Sequence, residues 1–398
     1  METNIPDIDI DIYAPASLRD PYQNYRVLRD AAPIVRLPKY GLYFMGRFEH
    51  VRDALKNWQV FSSAQGVAMN DVMNGAIAGG TLGSDDPTHA YLRSIVGRPL
   101  TVGKLGELRQ NINSQADALV QRLCGKGSFD AATELAQHLP LSIVSQLVGL
   151  PEEGRERMLT WAAANFNSLG PRGLELTETA LPVLAEMVQY AKSCTQDRVK
   201  PGSWVAQLYE AAARKEINFD QVGALMNDYL GPSLDTTIFA TSNCILLFAS
   251  HPEQWQKIRA APAKIPNAIN EVVRLESPIQ GFSRVTTQDY HLEGQVLPAH
   301  SRVLVMYGSA NRDERHWQDP EKFDIDRKTS DHVGFGHGVH SCLGANLARL
   351  EISALLSALA KRVERFEVHD KELVSNNVLR GLAKLNVTAH LASEFQAA

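Results

Sequence analysis

Apolar residues recur every third and fourth position over long stretches of the chain. Lys104 to Leu123, Ala180 to Arg198 and Leu343 to Val363 each carry such a stripe, marked in the last by Leu343, Leu347, Leu350 and Leu359. That period buries one face of an α-helix, so the pattern predicts a mainly helical chain. Alternation of apolar and polar residues, the mark of a half-buried strand, is confined to Ile34 to Phe44, Tyr290 to Val296, Arg302 to Tyr307 and Leu385 to Leu391. Long helices with a few short strands, no internal repeat and no linker predict a single large, mainly α domain with small β-sheets rather than βαβ units. The stretch from Ser62 to Asp86 has no clear period and is rich in Gly, Ala, Met and Asn. A loop that long in a compact protein is usually functional.

Composition narrows the class. With 398 residues, 44% of them apolar and 21% charged, the chain can bury a sizeable core and keep a soluble surface. A formal charge of -5 points to neither nucleic acid nor an anionic membrane as partner. The opening METNIPDIDIDIYAP has no basic n-region and no apolar h-region, so a cytoplasmic protein is expected. The longest uncharged apolar run, Thr236 to Ser250, is shorter than the ~20 residues that cross a bilayer. Cys124, Cys194, Cys244 and Cys342 are far apart, with no spacing that suggests zinc or a disulfide framework. Three of them read as small buried hydrophobes.

Cys342 differs because of its surroundings, GFGHGVHSCLGANLARLE at 334 to 351. Gly336, Gly338 and Gly344 allow close approach of a flat, wide group and unusual dihedrals on both sides of the thiol. The apolar run that follows places Cys342 just before a helix N-terminus, where free N–H groups and the dipole favour a thiolate. Taken alone, a Gly-x-Gly could simply start a helix over an inert cysteine. The whole string, however, resembles the F-G-x-G-x-H-x-C-x-G-x-x-L-A loop of bacterial cytochromes P450, which are haem-thiolate monooxygenases. Three further motifs in the expected order extend the resemblance over nearly the whole chain. It implies one P450 domain over 1–398, with an N-terminal extension at 1–15, a substrate-access loop at 62–86 and the haem-thiolate loop with its helix at 334–351. It also implies haem b as cofactor, Cys342 as the axial metal ligand, His340 at a haem propionate, and Phe335 and Gly336 against the macrocycle.

Glu271 and Arg274 in NEVVRLE lie one helical turn apart, a spacing that alone often gives a solvated surface pair. Here it resembles the family's structural E-x-x-R. The third basic member is open between Lys322 and Arg327, because this chain has Pro320-Glu321-Lys322-Phe323 where relatives have a P-E-R-F-like stretch. In SDDPTHAYLRSIVGR, Asp86 is a candidate N-cap and Pro87 a first helical residue, which sets His89 and Arg93 on one face. The resemblance implies that both bind propionate, together with Arg284 after the Pro278 turn.

The stretch LMNDYLGPSLDTTIFATSN resembles the distal helix with its [AG]-G-x-[DE]-T pattern, which implies catalytic roles for Asp235 and Thr236. Cleavage of O2 on a thiolate-ligated iron needs protons; a threonine hydroxyl can order water and an aspartate can relay protons from solvent. The departure is Pro232-Ser233, where the family has Ala-Gly or Gly-Gly. Proline removes an N–H and clashes with the preceding turn, so a kink is expected near Asp228.

The resemblance implies insertion of one oxygen atom from O2 into a small organic substrate, with electrons from NAD(P)H through a ferredoxin reductase and a ferredoxin. Arg98, Lys104, Arg312 and Arg349 are candidates for a basic docking face. Substrate contacts are expected from Gln65, Val67, Met69, Ile77, Phe166, Leu169, Asn227, Asp228, Tyr229, Ser233, Ile279, Phe282 and Leu379. No Lys or Arg occurs between Asn57 and Leu92, and Arg172 is the cation left to pair with a carboxylate, because Arg380 falls at a strand-turn position that reads as structural. A neutral aromatic substrate, hydroxylated or O-demethylated, is therefore expected. The alternatives are a substituted aromatic acid, a peroxide-driven relative, and a haem-binding sensor or carrier without turnover.

Overall fold

The computed structural model describes residues 4–395. Its longest helix, Val102–Lys126, contains the predicted 104–123 stretch and ends at Gly127, whose φ of +79° turns the chain out of the helix. It packs along Ala345–Arg362, the helix that follows Cys342. The helix predicted over 180–198 is displaced: the element is Glu175–Ser193, and Gln196–Arg198 forms a separate 3-10 turn. Pro182 thus sits inside a helix, where it removes one backbone bond. Burial of Thr177 and Ala180 before it, and of Leu184, Met187 and Ala191 after it, holds the two sides in line.

Asp235–Ser250 is buried on nearly every side and packs against both Ile265–Glu276 and Ala345–Arg362. That explains its nearly unbroken apolar sequence. A separate helix, Phe219–Leu230, precedes it, and Gly231 to Leu234 lie between the two outside any helix. The expected kink is therefore a full break. It falls after Asp228, because Pro232 has no N–H to offer the Asp228 carbonyl while Gly231 still bonds to Asn227.

The strand expected over 34–44 is a hairpin, Ile34–Leu37 against Leu42–Met45, reversed around Pro38–Tyr40 and Gly41. Arg302–Val305, Phe282–Thr286 and Phe61–Ser62 complete a five-stranded sheet. Tyr290–Leu292 and Gln295–Leu297 form a second hairpin, with Glu293 and Gly294 both at positive φ as its tight turn requires. Leu382–Leu391 pairs with Val363–Leu373 and Ser128–Asp130 in a third sheet. The N-terminal segment is integrated into the fold, with Ile12 and Tyr13 buried beside Tyr25 and Phe44. Among the described residues no helix is long and apolar enough to cross a membrane.

Candidate active site

The cysteine loop closes on itself: the Cys342 N–H donates to the Phe335 carbonyl at 2.7 Å. Gly336 and Gly338 both sit at φ +71°, and a Cβ on Gly338 would strike the Leu55 carbonyl. Gly344 departs from expectation. At φ -82° it is the ordinary N-cap of Ala345–Arg362, and the space beside it is open to a cavity. By accessible area Cys342 is exposed, yet protein surrounds it on all sides, because the surface it exposes is the cavity wall. Burial raises its thiol above the usual value, against the backbone N–H of Gly344, the cations of Arg93 and Arg349, and the N–H of Ala345. The thiolate therefore has donors waiting for it.

The cavity offers about 270 Å³ to the centres of water-sized molecules, far beyond the ~10–15 Å³ that one water needs. His89, Arg93, Arg284, His340, Phe335, Gly336 and Cys342 all line it. Asp86 fixes His89: its carboxylate meets Nδ1 at 3.1 Å and accepts the Ala90 N–H at 2.9 Å. The helix itself is Thr88–Val96 with Pro87 at the N-cap, one residue later than expected, so Asp86 serves its start from outside. The His89 and His340 rings lie 4.0 Å apart, and Nε2 of each is buried with no partner. Burial first, then Arg284, His89 and Arg93, push His340 down to about 2, so it is neutral. Arg93 donates to the Ser341 carbonyl. Arg284 is held in the strand Phe282–Thr286 and donates to the Ser283 carbonyl at 2.7 Å.

Two orphaned imidazole nitrogens and two guanidinium groups on one wall call for anionic oxygens. With a sulfur opening onto the same space, they fit haem b: Cys342 would hold the iron, and His89, Arg93, Arg284 and His340 the propionates.

A buried ion network braces this loop from behind. Arg274 meets Glu271 through Nε–Oε2 at 2.6 Å and Nη2–Oε1 at 2.9 Å, both side chains wholly buried. Arg327 completes it, Nε to Glu271 Oε1 at 3.1 Å, while the Lys322 ammonium points to Asp324. Arg274 Nη1 also donates to the Asn311 carbonyl at 2.7 Å, and Asn311 Oδ1 accepts the Val333 N–H at 2.9 Å. The pair is thus no surface feature. It anchors the entry to the cysteine loop.

On the opposite side, Thr236 and Ser233 line the cavity, and Asp235 does not. Asp235 is the next residue on the helix, ~100° away from Thr236; burial raises its carboxyl to about 7. Thr236 Oγ1 donates to the Pro232 carbonyl at 3.1 Å, and the Ser233 hydroxyl donates to the Tyr229 carbonyl. Both hydroxyls cover carbonyls at the helix break.

Ile77, Phe166, Leu169, Asn227, Asp228, Tyr229, Ile279 and Phe282 also line the cavity. Four expected contacts do not. Gln65 points to solvent, and Val67 is tied by its carbonyl to the Ser283 N–H, so this part of the loop runs beside the sheet. Met69 packs between the N-terminal core and the main core, and Leu379 pairs through its backbone with Ile279 and is buried in the main core. Arg172 is exposed and bound to Glu178 at 2.8 Å, outside the cavity. Arg312 is buried between Glu276 and Glu321 and stacks on Tyr22, so it cannot belong to a docking face. Arg349 turns inward to Asn270 and Phe335, while Arg98 and Lys104 are paired with Glu216 and Glu107.

The sequence reading missed Thr237, Trp204, Tyr307 and Glu351, all on the cavity wall. Glu351 carried a signal: it falls on the apolar stripe of its helix beside Leu347 and Leu350, where a carboxylate is out of place. Burial pushes it up to about 8, and its Oε1 has no partner.

The sequence profile described as Cytochrome P450 matches residues 161–386. Among individual proteins, cytochrome p450 CYP199A2 of Rhodopseudomonas palustris is 36% identical, over 96% of this chain and 94% of its own length. A steroid C26-monooxygenase of Rhodococcus jostii is 29% identical over 98% and 87%. The crystal structure of CYP109Q5 from Chondromyces apiculatus superposes with a TM-score of 0.80 at 28% identity, covering 97% of this chain and 99% of that one. P450BioI in complex with an acyl-ligated acyl carrier protein gives 0.85 at 25% identity over 94% and 98%.

Proposed function

The chain belongs to the cytochrome P450 family and is a haem b monooxygenase, and from that premise we propose that it hydroxylates or O-demethylates a small aromatic substrate bearing no anionic group. The observation that carries the substrate class is the placement of charge. The cationic and imidazole side chains on the cavity wall, His89, Arg93, Arg284 and His340, gather around His340, and the rest of the wall, with Ile77, Phe166, Leu169, Tyr229, Asn227 and Asp228, brings no cation. A buried carboxylate without a charged or multiply donating partner costs several kcal/mol. Arg172, the cation that could have supplied one, is engaged at the surface.

When bound through a cysteine thiolate, haem supplies oxygen activation. The protein's own contribution is orientation and proton control. Phe166, Leu169, Ile279 and Phe282 pack an aromatic body and exclude water. The Thr236 proton is engaged by the Pro232 carbonyl, which leaves the oxygen lone pairs free to accept from water. Asp235, titrating near neutrality, can give up and regain a proton at working pH. Electrons are taken to come from NAD(P)H through a ferredoxin reductase and a ferredoxin, docking on the outside of the cysteine loop. Lys56 and Arg52, on the helix against which Gly338 packs, put positive charge there beside His337.

The test is a titration of a methoxyarene and its para-carboxylated form, read by the low-spin to high-spin shift, with product analysis alongside. The uncharged compound should bind tighter and turn over faster. Preference for the acid would overturn the substrate class and leave the monooxygenase untouched.

A further inference from the structure

Asp228 is a carboxylate with no charge partner, facing the cavity. Protein surrounds it completely, while part of its surface remains accessible, as for Cys342, because that part belongs to the cavity wall. One oxygen, Oδ2, accepts the Thr81 N–H at 2.9 Å. The other, Oδ1, lies over Gly80, where a Cβ would approach to 3.1 Å, so a larger residue at position 80 would crowd it. Next to it, Asn227 Oδ1 is buried on the same wall with no partner. Among the described residues no Lys or Arg forms an ion pair with Asp228. Burial raises its carboxyl to about 6, against the backbone and side chain of Thr81, which both hydrogen-bond the charged form.

Two acceptors adjoin at the cavity wall, Asp228 accessible from it and the Asn227 oxygen buried beside it, and the first carries charge near neutral pH. A buried acceptor without a donor is costly, and for a carboxylate the cost is larger. A phenol brings one O–H, enough for one of them. A primary ammonium brings three N–H groups and the compensating charge.

Resting on the monooxygenase reading and its anion-free substrate, we propose that Asp228 and Asn227 form a specificity site for a protonated amine at the end of the substrate remote from the oxidised carbon. The aromatic body lies between Phe166, Leu169, Ile279 and Phe282, and the ammonium donates to Asp228 Oδ1 with the Asn227 side chain adjoining.

The experiment uses the haem-loaded enzyme and four probes that share a para-methoxyphenyl group: the benzylamine, the benzyl alcohol, the methyl compound and the benzoic acid. Each is titrated by the spin shift, and formaldehyde release is measured. The amine should bind at least tenfold tighter than the methyl compound, with the alcohol between them. Asp228→Asn, which keeps an acceptor for Thr81 and the side-chain shape, should remove the amine's advantage and leave the methyl compound within about twofold. Asn227→Asp should strengthen amine binding. Equal binding of amine, alcohol and methyl compound, or an advantage that survives in Asp228→Asn, would overturn the amine site while the anion-free reading stands. Direct nitrogen ligation of the iron by the amine, seen as the opposite spectral shift, would also overturn it, since the amine would then sit at the wrong end. Tightest binding of the acid would overturn the anion-free reading itself.

Discussion

Thr236 and Asp235 are neighbours in sequence with different positions and different work. Thr236 lines the cavity and its hydroxyl proton is engaged by the Pro232 carbonyl, and in the proposed function its oxygen is the acceptor that orders water. Thr236→Ala should keep NAD(P)H consumption running while product falls several-fold and hydrogen peroxide rises; Thr236→Ser should recover most of the coupling. If coupling is unchanged, the role passes to Ser233, whose proton is likewise engaged by a carbonyl, or to Thr237 on the same wall. Asp235→Asn, which removes the group titrating near 7, should instead slow turnover about tenfold or more with coupling kept. Cys342 has its own test. The reduced, carbon monoxide-bound protein should show a Soret band far to the red, and Cys342→Ser should abolish that shift.

Ile265–Glu276 lines the cavity with Val273 and contributes more from behind it. Its Glu271–Arg274 pair, closed by Arg327, fixes Asn311, and Asn311 holds Val333 at the entry to the cysteine loop. Breaking a buried pair by removing one partner costs about 3–5 kcal/mol. Glu271→Ala should therefore lower stability by that order in urea unfolding and release haem on dilution. Arg327 also donates to the carbonyls of Gln318, Asp319 and Lys322, a fan that a lysine cannot reproduce. Arg327→Lys should behave closer to Arg327→Ala than to the wild type. The helices were legible because each buries a stripe of regular period, and the cysteine loop because few other structures need that spacing. Val363–Leu373 was not, since it continues directly from Arg362 with no Gly or Pro to mark the change. The 62–86 segment was read as one loop, yet it divides. Gly66 and Val67 bond to the sheet at Ser283, Asn70 caps the short helix Asp71–Ile77, and only Met73 onward reaches the cavity. No local pattern distinguishes those halves, because their fate is decided by a strand more than two hundred residues later.

Across the whole molecule, folding places carboxyl groups around the cavity in conditions that favour their protonated forms. Glu351 shows the effect most strongly, raised by burial from 4.5 to about 8, and Asp235 and Asp228 share its direction. The folded protein then holds a proton that the unfolded chain releases above about pH 4.5. The contribution to stability is full below that value and declines as pH rises through the folded pKa. His332 has the opposite sign. Burial, with Arg349 and Arg274 nearby, holds it down to about 3, so stability is lost as acid protonates the unfolded chain below 6.5. Glu351→Gln isolates one of these terms, since the amide keeps the shape and has no charge to bury. Below about pH 4.5 variant and wild type should unfold within about 1 kcal/mol of each other. Between pH 5 and 8 the variant should gain steadily, reaching an advantage of a few kcal/mol above pH 8. Urea unfolding of the haem-loaded protein at intervals across that range reads the difference directly. Parallel curves from pH 5 to 8.5 would mean that Glu351 ionises freely and that its place on the cavity wall is hydrated.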